Sequence, residues 1–322
     1  MKTTFLKTVA VVMVMSLVLI SLTACGGNDD DQAVSFPERE IEFIVPWAPG
    51  GGSDIEMRIA AEHAQKYLDE NFVIINLPGV GGTVGLEELK EKEPNGYHVG
   101  MVHEGLLVAH HSGITEINYD DFDPVASMSA SDQYLAVATH LGVDTLEEFV
   151  AYANENTIRF GGTLAGIPRV WVEQIARALE IDYNMVGYEG LGEAITALAG
   201  GHIDAAVIDY AGGSEFVEAG NFKFIAIGTS ERSEKAPDVE TFVENGYDVT
   251  MSIHRGIVAP KGTPPEIIAI LAEAFEQAAA DPEYIEAIGN VGADISFMAA
   301  DEYLEHFQRQ DQIISEIIAD IF

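Results

Sequence analysis

The sequence predicts an α/β protein of two lobes with a cleft between them. Three observations carry that prediction. Short apolar strands alternate with helices along most of the chain, a pattern that gives parallel sheets joined by right-handed crossovers. The alternation runs through two successive units of the same design, each with a glycine loop between a strand and a helix. After the second unit, residues 249–260 carry the chain onward, with a return crossing expected near Thr250.

The chain opens with a targeting segment. Lys2 and Lys7 make a positive start, residues 9–22 are almost wholly apolar, and Leu22-Thr-Ala-Cys25 has the form of a bacterial lipobox. The apolar run is near the lower limit for crossing a bilayer, and a small-residue cleavage site follows it at once. A lipid-modified Cys25 is therefore expected in place of a retained transmembrane helix. Cys25 is the sole cysteine, so the mature chain has no disulfide and relies on its core. Residues 26–35 are small and acidic and read as a flexible tether. The expected organisation is a signal peptide over 1–25, a tether over 26–35, one lobe from 36–130 with 251–322, and a second lobe from 131–250.

The globular part begins with Ile41, Phe43 and Val45 on one face of a strand. Pro46 and Pro49 stop it. Gly50, Gly51 and Gly52 then open backbone geometry closed to other residues, and Ser53 or Asp54 is positioned to cap a helix over 55–71. Such a turn gathers unpaired amides at the positive end of a helix dipole and is a ready anion site, although the same turn also serves as a plain connection. A second strand over 72–76 leads to another glycine turn, Pro78-Gly-Val-Gly-Gly-Thr83, and a helix over 84–93. A third strand over 97–103 ends at His103-Glu-Gly105. All three loops lie at strand carboxyl ends, where open parallel sheets bind ligands. Strands are expected over 122–125 and 134–138, and then a helix over 146–154 capped by Thr145, with Glu148 completing a capping box. The second unit has a strand over 158–161, the loop Gly162-Thr-Leu-Ala-Gly-Ile-Pro-Arg169 and a helix over 170–179. It continues with strands over 183–188, 203–210 and 224–228 and a helix over 192–199. Pro264 starts a long amphipathic helix, with Ile267, Ile268, Leu271 and Phe275 on one face, and a last helix capped by Asp301 runs to the end.

With 53 acidic and 16 basic residues the formal charge is −37. Nucleic acid is thereby excluded as a partner. The acids are spread over helix faces, as at Glu87, Glu88, Glu91 and Glu93, and read as a solvated surface suited to high salt. The bulk field opposes an anionic ligand. At about 1 M salt the screening length is about 3 Å, so local groups decide.

Five motifs occur in order: Val45-Pro-Trp-Ala-Pro-Gly-Gly-Gly-Ser-Asp54, Pro78-Gly-Val-Gly-Gly82, Asn95-Gly-Tyr97, Gly200-Gly-His-Ile-Asp204 and Ala259-Pro-Lys-Gly-Thr-Pro264. In this combination the chain resembles the substrate-binding receptors of tripartite tricarboxylate transporters, the Bug or TctC-type proteins, over nearly its whole mature length. The resemblance implies a type II periplasmic-binding-protein fold with hinged closure. It also implies a small ligand, most often a carboxylate, delivered to two integral membrane subunits by a monomeric receptor that needs no cofactor. It places one end of the ligand on Trp47, Ala48, Pro49, Gly50, Gly51, Gly52, Ser53 and Asp54, and on Gly79, Val80, Gly81, Gly82 and Thr83. In the second lobe it implies Thr163, Gly166, Ile167, Arg169 and Asp209. There the chain departs from the family: Ile167 replaces a hydroxyl residue, Val170 a histidine, and His254 a tryptophan. Thr163 is positioned to replace the lost hydroxyl. Arg169 either adds positive charge to the loop or points to solvent, and Asp209 either faces the ligand or caps the segment after it.

His103 and Glu104 stand where the family often has small hydroxyl residues. With Asp209 they offer an alternative, the amino group of an amino acid or other zwitterion. Glu104 has a second reading as a cap of the next segment. An enzyme is not expected, because the chain has neither HExxH nor GxSxG and no tight metal-ligand spacing. His110 and His111 are adjacent and would face opposite ways on a strand. A receptor presenting its ligand to a membrane sensor kinase needs the same pocket and stays open as an alternative. The expected location is extracytoplasmic, held by lipid on the periplasmic side or outer face of the membrane.

The charge generates a direct test. Repulsion among the acids is screened by salt, so the thermal midpoint should rise between low and molar sodium chloride. A flat or falling series would remove the surface argument.

Overall fold

The computed structural model describes residues 35–47, 49–164, 166–188 and 191–321. The expected signal peptide, Cys25 and all but the end of the tether lie outside the described residues, as does Ala48. The first unit runs β1 (Ile41–Val45), α1 (Gly52–Ala64), β2 (Phe72–Asn76), α2 (Thr83–Lys90), β3 (His98–Val102) and α3 (Gly105–His111). β4 (Phe122–Ala138) follows. The second unit is α4 (Leu146–Ala153), β5 (Ile158–Gly162), α5 (Ile167–Leu179), β6 (Tyr183–Gly187), α6 (Leu191–Ala199), β7 (Ala205–Asp209), α7 (Tyr210–Glu218) and β8 (Phe222–Ile227). The chain ends with β9 (Ser252–Pro260), α8 (Pro265–Ala279), α9 (Pro282–Asn290), β10 (Asp294–Ala299) and α10 (Ala300–Ile321).

In the first sheet β1 lies between β2 and β3, parallel to both, and β9 joins β3 to β4 antiparallel, with β10 also on β4. The second sheet repeats the plan: β5 lies between β6 and β7, and β7 and β8 flank the far half of β4. β4 belongs to both sheets. Its Ser131 and Asp132 pair with Ile253 and Ser252 of β9, and the next residue, Gln133, pairs with Asp209 of β7. The Gln133 amide donates to the Met251 carbonyl at 2.8 Å, and its carbonyl accepts from Gly228 at 2.9 Å. The link from β8 back to β9 therefore runs beside the point where β4 changes sheet.

Sequence pattern anticipated two separate strands where β4 is one of 17 residues. Its middle, Ala-Ser-Met-Ser-Ala-Ser over 126–131, has little β propensity. It is extended because β9 and β10 pair with it from both sides. The helix expected over 55–71 stops at Ala64 and tightens into a 3₁₀ turn, Gln65–Tyr67. Four elements went unanticipated, α3, α7, α9 and β10, and His110 and His111 lie on helix α3, not on a strand. Thr145 does cap α4, accepting from the Glu148 amide at 3.2 Å.

Two apolar layers hold the first sheet. On one face Phe43, Phe72 and Phe275 pack edge to face or tilted, with centroids 5.4 to 6.4 Å apart. On the other, α10 spans both units. Its Phe307 stacks on Tyr119, its Ile314, Ile317 and Ile318 share a cluster with Trp171 and Ile175 of α5, and Asp320 meets Arg177 at 3.0 Å. Gly256 of β9 marks the tightest approach. A Cβ there would lie 2.4 Å from the Tyr303 ring and 2.5 Å from the Ala126 carbonyl oxygen, and backbone on a paired strand cannot yield. Gly256→Ala should destabilise the fold by about 1–3 kcal/mol, measured by urea unfolding. An unchanged midpoint would mean that the strand relaxes freely.

Candidate functional site

The first glycine loop is built around a carboxylate. Asp54 turns back from α1 and accepts from the Gly50 amide at 2.8 Å, Arg58 Nε at 3.0 Å and Asn76 Nδ2 at 2.8 Å. Asn76 Nδ2 also donates to the Trp47 carbonyl at 3.1 Å. Burial pushes the Asp54 pKa up, but the bonds from Arg58, Gly50 and Asn76 outweigh it and hold the carboxyl below its usual range. Neither Ser53 nor Asp54 caps the helix as expected. The N-cap is Gly51, in extended conformation, and among the described residues no side chain caps the first-turn amides. Helix geometry leaves those amides without intrahelical partners, with about half a positive charge at the terminus. Gly50 has φ of 81° and open space around its Cβ position, so it is there for its backbone.

The second loop meets the first through Trp47. Gly81 and Gly82 are both left-handed, at φ 62° and 80°, in the 3₁₀ turn Val80–Gly82 that leads into Thr83 and α2. A Cβ on Gly82 would sit 2.9 Å from the Trp47 indole, so the ring lies against bare backbone. The other ring neighbour is His103, stacked at 4.1 Å. His103 Nδ1 accepts from the Gly105 amide at 2.8 Å, which puts the ring proton on Nε2. Burial, and secondarily Arg255, lower the His103 pKa to about 4 against an opposing pull from Glu104, so the ring is neutral at physiological pH. Trp47 thus joins the ends of β1, β2 and β3, the convergence expected from the chain order.

Glu104 is not where the sequence reading put it. It neither faces an open site nor caps α3 with its side chain. It is 1 % exposed, and its carboxylate takes His306 Nε2 at 2.6 Å, His254 Nδ1 at 3.1 Å and the His254 amide at 3.1 and 3.2 Å. Burial disfavours the charge, and the bonds to the two histidines more than reverse that, holding the carboxyl far below its usual range. Tyr303 Oη closes the cluster by donating to the carbonyls of Val102 and His254.

Alternation along β9 turns Arg255 to the opposite face from His254. Its Nε donates to Ser53 Oγ at 3.2 Å, and its NH1 donates to Ser131 Oγ at 2.7 Å and to the Glu56 carboxylate at 3.1 Å. Glu56 also accepts from Ser129 Oγ at 2.6 Å. Burial, with a contribution from the Asp209 charge, raises the Glu56 pKa despite Arg255 and Ser129. The Asp209 charge, from the second sheet, is thus felt at Glu56 of α1. Sequence reasoning missed this cluster. The available signal was Ser127, Ser129 and Ser131 alternating along a buried segment, with Arg255 as the one permanently charged residue of β9.

In the second unit Gly166 heads α5 with φ of 80°, which only glycine adopts readily, and no side chain caps that helix. Ile167 turns into the apolar core, at odds with its expected place in the site, because Pro168 and Gly166 set the helix start with that face inward. Arg169 bonds to Tyr183 Oη and lies 3.8 Å from Glu173, so it points neither to the loop nor to open solvent. Asp209 caps α7, accepting from the Gly212 amide at 2.7 Å. Thr163 follows β5 directly and remains at the loop.

Two groups among the described residues have donors close enough for a metal ion, Glu104 with His254 and His306, and His63 with Asp281 and Glu283. In the second group Lys66 Nζ already bonds both carboxylates at 2.9 Å. A cavity of about 500 Å³ borders His254 and His306 away from the glycine loops. Asp132, Asp248 and Asp294 line it, which disfavours an anion there.

The family model described as the tripartite tricarboxylate transporter family receptor matches residues 56–321. Protein BugT of Bordetella pertussis is 28 % identical over 287 residues, 87 % of this chain and 88 % of that one. The fold is similar to a TctC solute-binding protein from Polaromonas solved without ligand, with TM-score 0.84, 26 % identity, and 89 % and 100 % of the two chains covered. It is also similar to MatC of Rhodopseudomonas palustris with bound malate, with TM-score 0.69, 25 % identity, and 88 % and 100 % covered.

The Glu104 cluster sets an acid sensitivity. A carboxyl with a depressed folded pKa stabilises the fold fully above the ordinary glutamate range, and that stability is lost as pH falls through and below it. Glu104→Gln should cost about 3–5 kcal/mol at neutral pH and lose less on acidification than wild type. Parallel stability curves for the two proteins down to about pH 3 would show that Glu104 does not contribute in this way.

Proposed function

The chain belongs to the tripartite tricarboxylate transporter receptor family, and we propose that it captures a small organic carboxylate between its lobes and delivers it to the two membrane subunits of such a transporter. The family is one of periplasmic solute-binding receptors and not of enzymes. The observation that carries the ligand class is the junction at Trp47, where two glycine loops meet beside the uncapped start of α1. Amides there make a local positive site in an acidic protein, and they favour a carboxylate over a cation. The similarity to MatC, whose structure holds malate, supports a dicarboxylate or hydroxy acid as the first probe. The zwitterion alternative is weakened, because Glu104 is spent on His254 and His306. Asp209 remains near the loops but also caps α7.

We assign residues 36–130 with 251–322 to one lobe and 131–250 to the other, closing by flexure where β4 changes sheet and where β8 returns to β9. Among the described residues no helix is long and apolar enough to cross a membrane. Attachment through a lipid on Cys25 is part of the proposal and rests on the lipobox.

Malate, succinate and citrate should be screened by thermal shift on the mature chain. A ligand at about 100 times its dissociation constant adds about 2.7 kcal/mol. Gly52→Val should abolish the shift and keep the fold, because a Cβ there meets only the ends of Arg255 and Glu56, both at 3.6 Å. The site is wrong if this variant binds as wild type does, and the ligand class is wrong if no carboxylate shifts the wild type.

A further inference from the structure

We propose that Arg255 supplies a direct charged partner for the ligand's carboxylate at the start of α1, so that the ligand is held by an ion pair as well as by amides. The inference rests on the receptor reading above and names a residue that reading does not use.

The guanidinium is planar, with donors in a fixed fork, so the two engaged nitrogens set the direction of the third. Nε and NH1 are held by Ser53, Ser131 and Glu56. NH2 makes no hydrogen bond to any described residue, although Arg255 is only 8 % exposed. It lies 3.6 Å from where a Gly52 Cβ would stand, and Gly52 is the first residue of α1. An oriented, nearly buried cation therefore has its one unengaged nitrogen against the first turn, whose amides no side chain caps among the described residues. A carboxylate oxygen at that point accepts from NH2, and its other oxygen is within reach of the first-turn amides. Gly52 leaves the approach open because it has no side chain.

The charge of the whole chain makes such a partner consequential. At −37 the long-range field repels an anion, and at moderate salt a charge in contact outweighs one beyond the screening length. Arg169, the cation the sequence offered for this role, is engaged with Tyr183 and Glu173. Glu56 is the internal competitor: it shares the guanidinium's charge and sits beside the place the ligand would take. Removing the Glu56 charge should therefore strengthen binding, and the Arg255 variants decide whether the guanidinium itself makes the contact.

The experiment is calorimetric titration with whichever of malate, succinate and citrate the wild type binds, at about 20 mM and about 0.5 M sodium chloride. Arg255→Gln should weaken binding by about 10- to 100-fold and flatten its salt dependence. Glu56→Gln should tighten it several-fold. The double variant Arg255→Gln with Glu56→Gln leaves no lone buried charge, so it keeps the test valid if the single Arg255 variant does not fold, and it too should bind weakly. If the double variant binds within about threefold of wild type with the same salt slope, Arg255 does not contact the ligand and the receptor reading stands. If the wild type binds none of the three carboxylates, both fail.

Discussion

The Asp54 carboxylate is the tie on which the site depends. It is a negative charge at a helix N-terminus, the position where a carboxylate ordinarily caps the amides. Here it reaches back to Gly50 and sideways to Arg58 and Asn76, and the first turn of α1 is left uncovered. Asn76 ends β2 and holds the Trp47 carbonyl, so one carboxylate fixes the loop after β1 against the strand that leads to the second loop. Trp47 then packs on Gly82 and His103. Three strand ends are brought into one place through two side chains, with Gly50, Gly81 and Gly82 in left-handed backbone and Gly82 also admitting the indole.

The same economy of charge runs along β9. Its alternation sends His254 to Glu104 and Arg255 to Glu56, so two buried carboxylates lie on opposite faces of one strand. Each is paired, as a buried charge has to be. The two sides differ in what they leave over. Glu104 is saturated by histidines and an amide, whereas Arg255 keeps one nitrogen of its guanidinium unengaged among the described residues. β9 also pairs with the near half of β4, so both clusters are anchored next to the residue at which β4 passes from one sheet to the other. In the proposed closure, flexure at that point would be transmitted to both clusters.

Most of the α/β frame was legible, because its strands carry β-branched and aromatic runs and its turns carry glycine and proline. The two glycine loops that meet at Trp47 were legible for the same reason. What escaped depended on tertiary pairing. The centre of β4 is small and polar, and its extension comes from neighbours far away in sequence. α3 and α7 are short and begin directly at strand ends, where a capping residue and a site residue look alike; Asp209 is the clear case. Glu104 was misplaced because its partners, His254 and His306, lie 150 or more residues away. Arg255 was passed over since one arginine in a strand carries no local pattern, and Arg169 was favoured because its loop position is visible while its bond to Tyr183 is not.

The central claim is that a carboxylate binds between the lobes and draws them together. Small-angle X-ray scattering on the mature chain tests it most directly, without ligand and with the carboxylate that gives the largest thermal shift. The account predicts a smaller radius of gyration at saturation and a scattering profile that moves toward a closed form. A ligand that stabilises the protein while leaving the profile unchanged would contradict it.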